Sequence, residues 1–125
     1  MGSLDDARKH LAKAREFLDA AESSLSLAQF NAATSNAVVS GINSKDAICL
    51  KLTGRASKSE DHSAAVGELQ RSGEAGRAVA PSLRRLLGLK SKSQYQTVSI
   101  VQRQAEDAVR WAQRLFDAAR IVVDA

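Results

Sequence analysis

The chain has 125 residues, 44% of them apolar, which predicts one domain over residues 1–125 with a single hydrophobic core. No apolar run approaches the roughly 18 residues of a membrane-spanning helix, and the first residues lack a signal segment, so we expect a cytoplasmic protein. The single cysteine, Cys49, excludes an internal disulfide and a multi-cysteine metal site. We expect it to be a small buried hydrophobe.

The net charge of +4 is unevenly distributed along the chain. Between residues 71 and 103 there are seven basic residues and one acid, Glu74, so this segment carries +6. Such a segment indicates an anionic partner or an acidic face on another protein, although a solvated helix face has the same composition. The basic residues are Arg71, Arg77, Arg84, Arg85, Lys90, Lys92 and Arg103.

Two helices are predicted before residue 53. The first, from about Leu4 to Leu27, carries small and large apolar residues in heptad steps of three and four. Ser3 and Asp6 resemble a capping box at its start. A short link follows, with Asn31 as a candidate N-cap, so the two helices should be antiparallel neighbours. The seam of the first helix is Leu4, Ala7, Leu11, Ala14, Leu18, Ala21 and Leu25.

The second predicted helix, residues 31–52, is apolar on most of its circumference. Its narrow polar stripe includes Asn36 and Asn43, which we expect to be buried polar residues; the stripe could line a cleft or simply face water. Asp46 projects away from that stripe onto a mostly apolar side, where a carboxylate needs a donor. We expect Asp46 to pair with Lys90 or to accept a hydrogen bond from Tyr95.

The remaining chain predicts two shorter helices and one long one. Asp61 or Ser63 can cap a third helix, and a fourth follows from Glu74 to Leu87, kinked or shortened at Pro81. A polar loop is expected over residues 88–98.

Ser99 and Gln102 then predict a capping box for the last helix. Its alanine-rich seam has a second apolar stripe beside it, Val109 and Phe116, whose surplus surface a homodimer could cover. The chain is thus predicted to be all-α, an antiparallel up-and-down bundle of four to five helices.

Most enzyme signatures are absent, including phosphate loops and the metal motif H-E-x-x-H, so neither a cofactor nor a metal is predicted. Arg55 and His62, with six residues between them, are the one arrangement that could cleave RNA. The imidazole would transfer the proton, and the guanidinium would hold the phosphate. Alternatively, His62 only fixes the turn into the third helix while Arg55 is solvated.

Three segments, NAATSNAVVSGINSKDAICLKLTG, EDHSAAVGEL and LRRLLGLKSKSQY before a long final helix, resemble the HEPN superfamily. The resemblance implies an up-and-down bundle, frequent homodimers, and an association with RNA, nucleotides and toxin–antitoxin or defence loci in prokaryotes. Active members carry an arginine, four to six residues and a histidine near the start of the last long helix. That region, residues 89–110, contains Lys90 and Tyr95 but no histidine, which resembles the non-catalytic branch.

Three functions remain open at this stage. The first is a non-catalytic binding module that engages nucleic acid, a nucleotide or a partner protein. The second is an antitoxin-like subunit that binds a partner protein through its last helix. The third is a metal-independent ribonuclease that uses Arg55 and His62. In the first hypothesis the binding residues are Arg84, Arg85, Lys90, Lys92 and Tyr95, the tyrosine offering a ring for stacking.

Overall fold

The computed structural model describes residues 2–58, 61–94 and 99–125. Within these ranges the chain is all-α and contains no strand, as predicted. No helix in the described part is long and apolar enough to cross a membrane. The helices are α1 (Ser3–Ser26), α2 (Phe30–Thr53), α3 (His62–Arg71), α4 (Glu74–Gly88), α5 (Lys90–Gln94) and α6 (Gln102–Asp124).

Helices α1 and α2 form the most extensive contact of the bundle. The alanines of the α1 seam are fully buried, and their small side chains let the two helices approach closely. The hydroxyl of Ser40 donates a 2.8 Å hydrogen bond to the Ala14 carbonyl across this contact. The heptad seam therefore packs on α2, as its spacing predicted. The buried alanines are Ala7, Ala14 and Ala21.

The long helices alternate in direction along the chain. At one end of the bundle the Asn31 side chain accepts from the Ile100 N–H, and at the other Lys51 donates to the Val122 carbonyl. These contacts set α2 and α6 parallel to each other, with α1 and α4 running the opposite way. The predicted up-and-down bundle is confirmed, with α3 as a short helix packed on α4.

The surplus apolar stripe predicted on the last helix packs largely inside the bundle. Phe116 is buried, and Val109 packs partly against the core. The Arg15 guanidinium covers the Phe116 ring, with its carbon 4.9 Å from the ring centre. The predicted surplus apolar surface was therefore wrong for Phe116, which α1 covers, whereas Val109 stays half-buried.

Several helix ends differ from their predicted caps. Gly2, without a side-chain bond, precedes α1, so the Ser3–Asp6 capping box does not form. Asn31 lies inside α2 and bonds the chain before α6 instead of capping its own helix. Gln104, not the predicted Ser99–Gln102 pair, accepts from the Val101 N–H at the start of α6.

Around α3 and α4 one local prediction is confirmed and two are not. Asp61 caps α3 as predicted, and Gly54 ends α2 in the left-handed conformation with φ of 77°. Pro81 lies within α4, which continues through it, so the predicted shortening of the helix at this residue was wrong. At Gly76, α4 approaches α3 so closely that a Cβ atom would overlap the Leu69 carbonyl. The polar loop predicted over residues 88–98 instead contains α5.

Candidate ligand-binding site beside helix α3

A pocket of about 320 Å³ opens where α2, α3 and α4 meet, and we call it the α3 pocket. Apolar and charged side chains both line it, and we call its buried end, at Lys45, the floor and its exposed end, at Lys58, the mouth. The apolar residues are Ile42, Ala65, Leu83 and Leu87; the polar ones are Lys45, Asp46, Ser57, Lys58, Asp61, His62 and Lys90.

Lys45 is a buried cation at the floor of this pocket. Its side chain is only 3% exposed, and its ammonium group lies 3.0 Å from Asp46 Oδ1. It also forms an ion pair with Glu68 on α3. A charge at this depth requires such partners, because an unpaired buried ion is costly. This cluster therefore ties α2 to α3 through one lysine and two carboxylates.

The same cluster holds the chain that leads into α3. The Glu68 carboxylate accepts from the Ser57 N–H at 2.8 and 3.1 Å, and Lys45 Nζ lies 3.5 Å from the Ser57 carbonyl. Ser57 is therefore fixed through its backbone, which places the next residue, Lys58, at the pocket.

The partner of Asp46 differs from both predicted ones. Asp46 is bound by its neighbour Lys45, whereas Lys90 lines the same pocket without forming an ion pair with it. Tyr95, the other predicted donor, lies outside the described residues. The prediction for Lys90 was wrong because α2 itself supplies a cation on the apolar side of the helix.

The pKa of Lys45 reflects two opposing effects. Burial by itself would lower the pKa, but the hydrogen bond to Glu68 and the charge of Asp46 raise it above the ordinary value of 10.5. Burial also raises the pKa of the nearby Cys49 thiol to about 12, and Cys49 is fully buried as predicted. At neutral pH the cluster thus holds a charged lysine beside a neutral thiol.

The two asparagines predicted to be buried are only partly so. Asn43 donates to the Val39 carbonyl at 2.9 Å, and its Oδ1 lies 2.8 Å from His10 Nδ1. Because Oδ1 accepts, Nδ1 carries the proton. That nitrogen lies 4.0 Å from Asp46 Oδ2, so α1 also reaches the edge of the charge cluster. Asn36 is half-buried and has no hydrogen-bond partner through its side chain among the described residues.

The mouth of the α3 pocket carries more positive than negative charge. Lys58, Lys90 and His62 line it together with Asp61, whose carboxylate accepts from the Ser63 and Ala64 N–H groups as the cap of α3. No described carboxylate pairs with either lysine. A second pocket of about 310 Å³ between α3 and α4, which we call the α3–α4 groove, shares His62 and Leu87 with the first. Arg84 lines this groove and is exposed. The structure therefore brings His62, Lys90 and Arg84 to one region.

The other predicted site residues lie elsewhere. Arg55 is exposed and lines a separate pocket with Glu68, so the structure does not bring Arg55 and His62 into one pocket. Arg85 is exposed but lines neither the α3 pocket nor the groove. Lys92 donates to Gln104 on α6 at 3.2 Å.

Three contributors to the site were missed at the sequence level: Lys45, Lys58 and Glu68. The sequence contains one indication that Lys45 is buried. Lys45 follows Gly41 by four residues and precedes Ile48 by three, which places it on the apolar side of α2. Lys58 and Glu68 had none, because their roles depend on how α3 lies against α2. Among the described residues, no group of three or more His, Cys, Asp or Glu side chains could hold a metal ion.

Comparison with known proteins agrees with the architecture. The model of the HEPN domain family matches residues 7–122. A search of the curated proteins gave no match. The matched segment runs from α1 into the last turns of α6 and includes the α3 pocket and the α3–α4 groove. The chain therefore belongs to the HEPN family.

Proposed function

We propose that this protein is a non-catalytic HEPN module that binds RNA through the cations around His62. The observation that carries the proposal is that Lys58, Lys90 and Arg84 line two adjoining pockets, and no described carboxylate pairs with them. A cation without an acidic partner keeps its charge available for a phosphate. We call these three residues the basic rim.

The position of these cations at the pockets is what distinguishes them, since most other cations of the described surface also form no ion pair. Arg110 on α6, which pairs with Asp107 at 2.6 Å, is an exception. The basic rim draws two of its members, Arg84 and Lys90, from the +6 segment, and that segment has a single acid. RNA is the polyanion that such a surface suits, because each phosphate neutralised releases bound counterions.

A ribonuclease is the second candidate function. His62 lies between two pockets, and no described residue bonds its imidazole, which favours a role in proton transfer. Against it, Arg55 lines another pocket, so the guanidinium that would hold the phosphate is not beside the imidazole. We therefore rank binding above cleavage.

One experiment separates the two functions. The purified protein is incubated with a mixed RNA pool in EDTA, and RNA integrity and gel mobility are both followed, alongside His62→Ala. Intact RNA with a mobility shift is the expected result. Cleavage that disappears in His62→Ala would establish the ribonuclease instead. If the RNA is neither cleaved nor shifted, both functions are contradicted.

Salt dependence then tests the basic rim itself. Lys90→Gln and Arg84→Gln should each weaken RNA binding and reduce the slope of log affinity against log salt by about 1. Arg114→Gln is the matched control, an exposed arginine on α6 outside both pockets. If the control and the rim variants change affinity and salt slope equally, the RNA binds at a surface other than the basic rim.

We further propose that the module acts as a homodimer in a toxin–antitoxin or defence system, as the family resemblance suggests. Since Phe116 is covered within the chain, the exposed apolar residues of this region are Val101 and Ile121 at its two ends, 58% and 63% exposed. Ile121→Glu should shift a dimer toward monomer in sedimentation equilibrium. A monomeric wild type would contradict the dimer and leave RNA binding open.

A further inference from the structure

The α3 pocket has opposite polarity at its two ends. At the floor, the Lys45 ammonium group donates to Asp46, Glu68 and the Ser57 carbonyl, so none of its three N–H donors is left for a ligand. One lysine against two carboxylates also leaves this cluster with a net charge of −1. The floor therefore presents an acceptor, whereas the mouth carries two lysines, Lys58 and Lys90, against the one carboxylate of Asp61, which caps α3.

Asp46 is the group that a ligand would meet at the floor. Its side chain is 16% exposed, and it lines the pocket. Oδ1 is bound by Lys45, whereas Oδ2 has His10 Nδ1 at 4.0 Å, which is beyond hydrogen-bond distance. A carboxylate has about four lone-pair sites, so Asp46 can accept further hydrogen bonds, although it also lines a separate cavity together with His10.

This polarity selects a ligand with donors at one end, an apolar flat body and an anion at the other end. The volume of about 320 Å³ is at the lower end of the range for small-ligand pockets, roughly 300–1,000 Å³. It suits one base rather than a base pair. The apolar walls, Ile42 on one helix and Leu83 and Leu87 on another, can enclose such a ring.

We propose that the α3 pocket holds one unpaired guanine of a single-stranded RNA, a specificity that rests on the proposed RNA binding. Guanine presents two adjacent donors, N1–H and the 2-amino group, on its Watson–Crick edge, which matches the two oxygens of a carboxylate. The other three bases present one donor there. Asp46 would read this edge, and Lys58 and Lys90 would hold the adjoining phosphate.

The test uses three labelled RNAs: a twelve-nucleotide oligouridine, the same strand with one central guanine, and that strand annealed to its complement. Fluorescence anisotropy should show roughly tenfold tighter binding of the guanine strand than of oligouridine. Annealing should remove this preference, because the guanine edge is then paired. Asp46→Asn should abolish the preference while oligouridine still binds, and Asp107→Asn on α6 should preserve it.

A second variant tests the pocket independently, in case Asp46→Asn loses the guanine preference only because it folds poorly. Ala65 lines the pocket and is half-buried, so Ala65→Leu fills the pocket without changing any charge. It too should lose the guanine preference and keep oligouridine binding. If RNA binds through the basic rim but the guanine preference is absent, or survives in both variants, the guanine site is refuted and the proposed function stands. If no RNA binds at all, both are refuted.

Discussion

Lys45 and Lys90 line the same pocket, yet their environments are opposite. Lys45 is 3% exposed and bound by two carboxylates, whereas Lys90 is half-buried at the mouth, and no described carboxylate pairs with it. The first lysine has its charge fully used within the chain and serves the fold. The second has no described carboxylate partner, and we propose that its charge serves a ligand. Residue type and pocket lining alone thus do not identify a binding residue; the state of its partners does.

The largest expected effect is that of removing the buried lysine. Lys45→Met leaves Asp46 and Glu68 without their cation, and breaking a buried pair in this way costs about 3 kcal/mol of unfolding free energy. Urea unfolding measures it. Lys13→Met, at an exposed position on α1, is the control and should stay within about 0.5 kcal/mol of wild type. A loss below 1 kcal/mol for Lys45→Met would show that the buried ion pairs of Lys45 contribute little to the stability of the fold.

Alkaline pH should remove a part of that stabilisation. The folded-state pKa of Lys45 is raised above 10.5, so its contribution is fully present below pH 10.5 and is lost as pH rises through the folded value. The Cys49 thiol also lowers the stability as pH rises, because its pKa is raised from 9.0 to about 12 by folding. The measurement therefore uses Cys49→Ala as background. In the Cys49→Ala background, the free energy of unfolding should fall more steeply above pH 10.5 when Lys45 is present than when it is replaced in Lys45→Met. Parallel curves for the two proteins would contradict the raised pKa of Lys45.

Lys51 should give an intermediate effect, because it is paired with backbone dipoles rather than with carboxylates. Its ammonium group lies 3.2 Å from the Val122 and Val123 carbonyls and 3.0 Å from a backbone oxygen of Ala125, at the C-terminus of α6. A cation at this end stabilises a helix, so Lys51→Met should cost about 1 kcal/mol. Thermal unfolding measures it against Lys9→Met, an exposed position on α1. Equal melting temperatures of the two variants would argue against the cap.

The smallest effect on stability is expected at the mouth of the pocket. Lys90→Gln removes no ion pair among the described residues and should change the free energy of unfolding by less than about 0.5 kcal/mol. The same protein preparation should nevertheless show weaker RNA binding. A variant that loses both stability and binding would indicate that Lys90, like Lys45, belongs to the fold.

Local sequence was sufficient for the long helices of this protein, but not for α5 or for several helix caps. The heptad seam of α1, the apolar circumference of α2, the Asp61 cap and the glycine at the end of α2 are all encoded within a few residues. Helical periodicity and capping depend on neighbours three or four positions away, so a single chain displays them directly. The HEPN resemblance followed from the same periodic features, and the family match agrees with it.

The charge partners were decided only by the tertiary structure. Which side chain meets Asp46 depends on how α2 and α3 are rotated and shifted against each other, and no periodic pattern in either helix specifies that. Phe116 shows the same dependence, because its burial results from where α1 lies over α6. The sequence by itself therefore determined where the long helices lie and which of their faces are apolar. Only packing decided which lysine stabilises the fold and which remains available at the pocket.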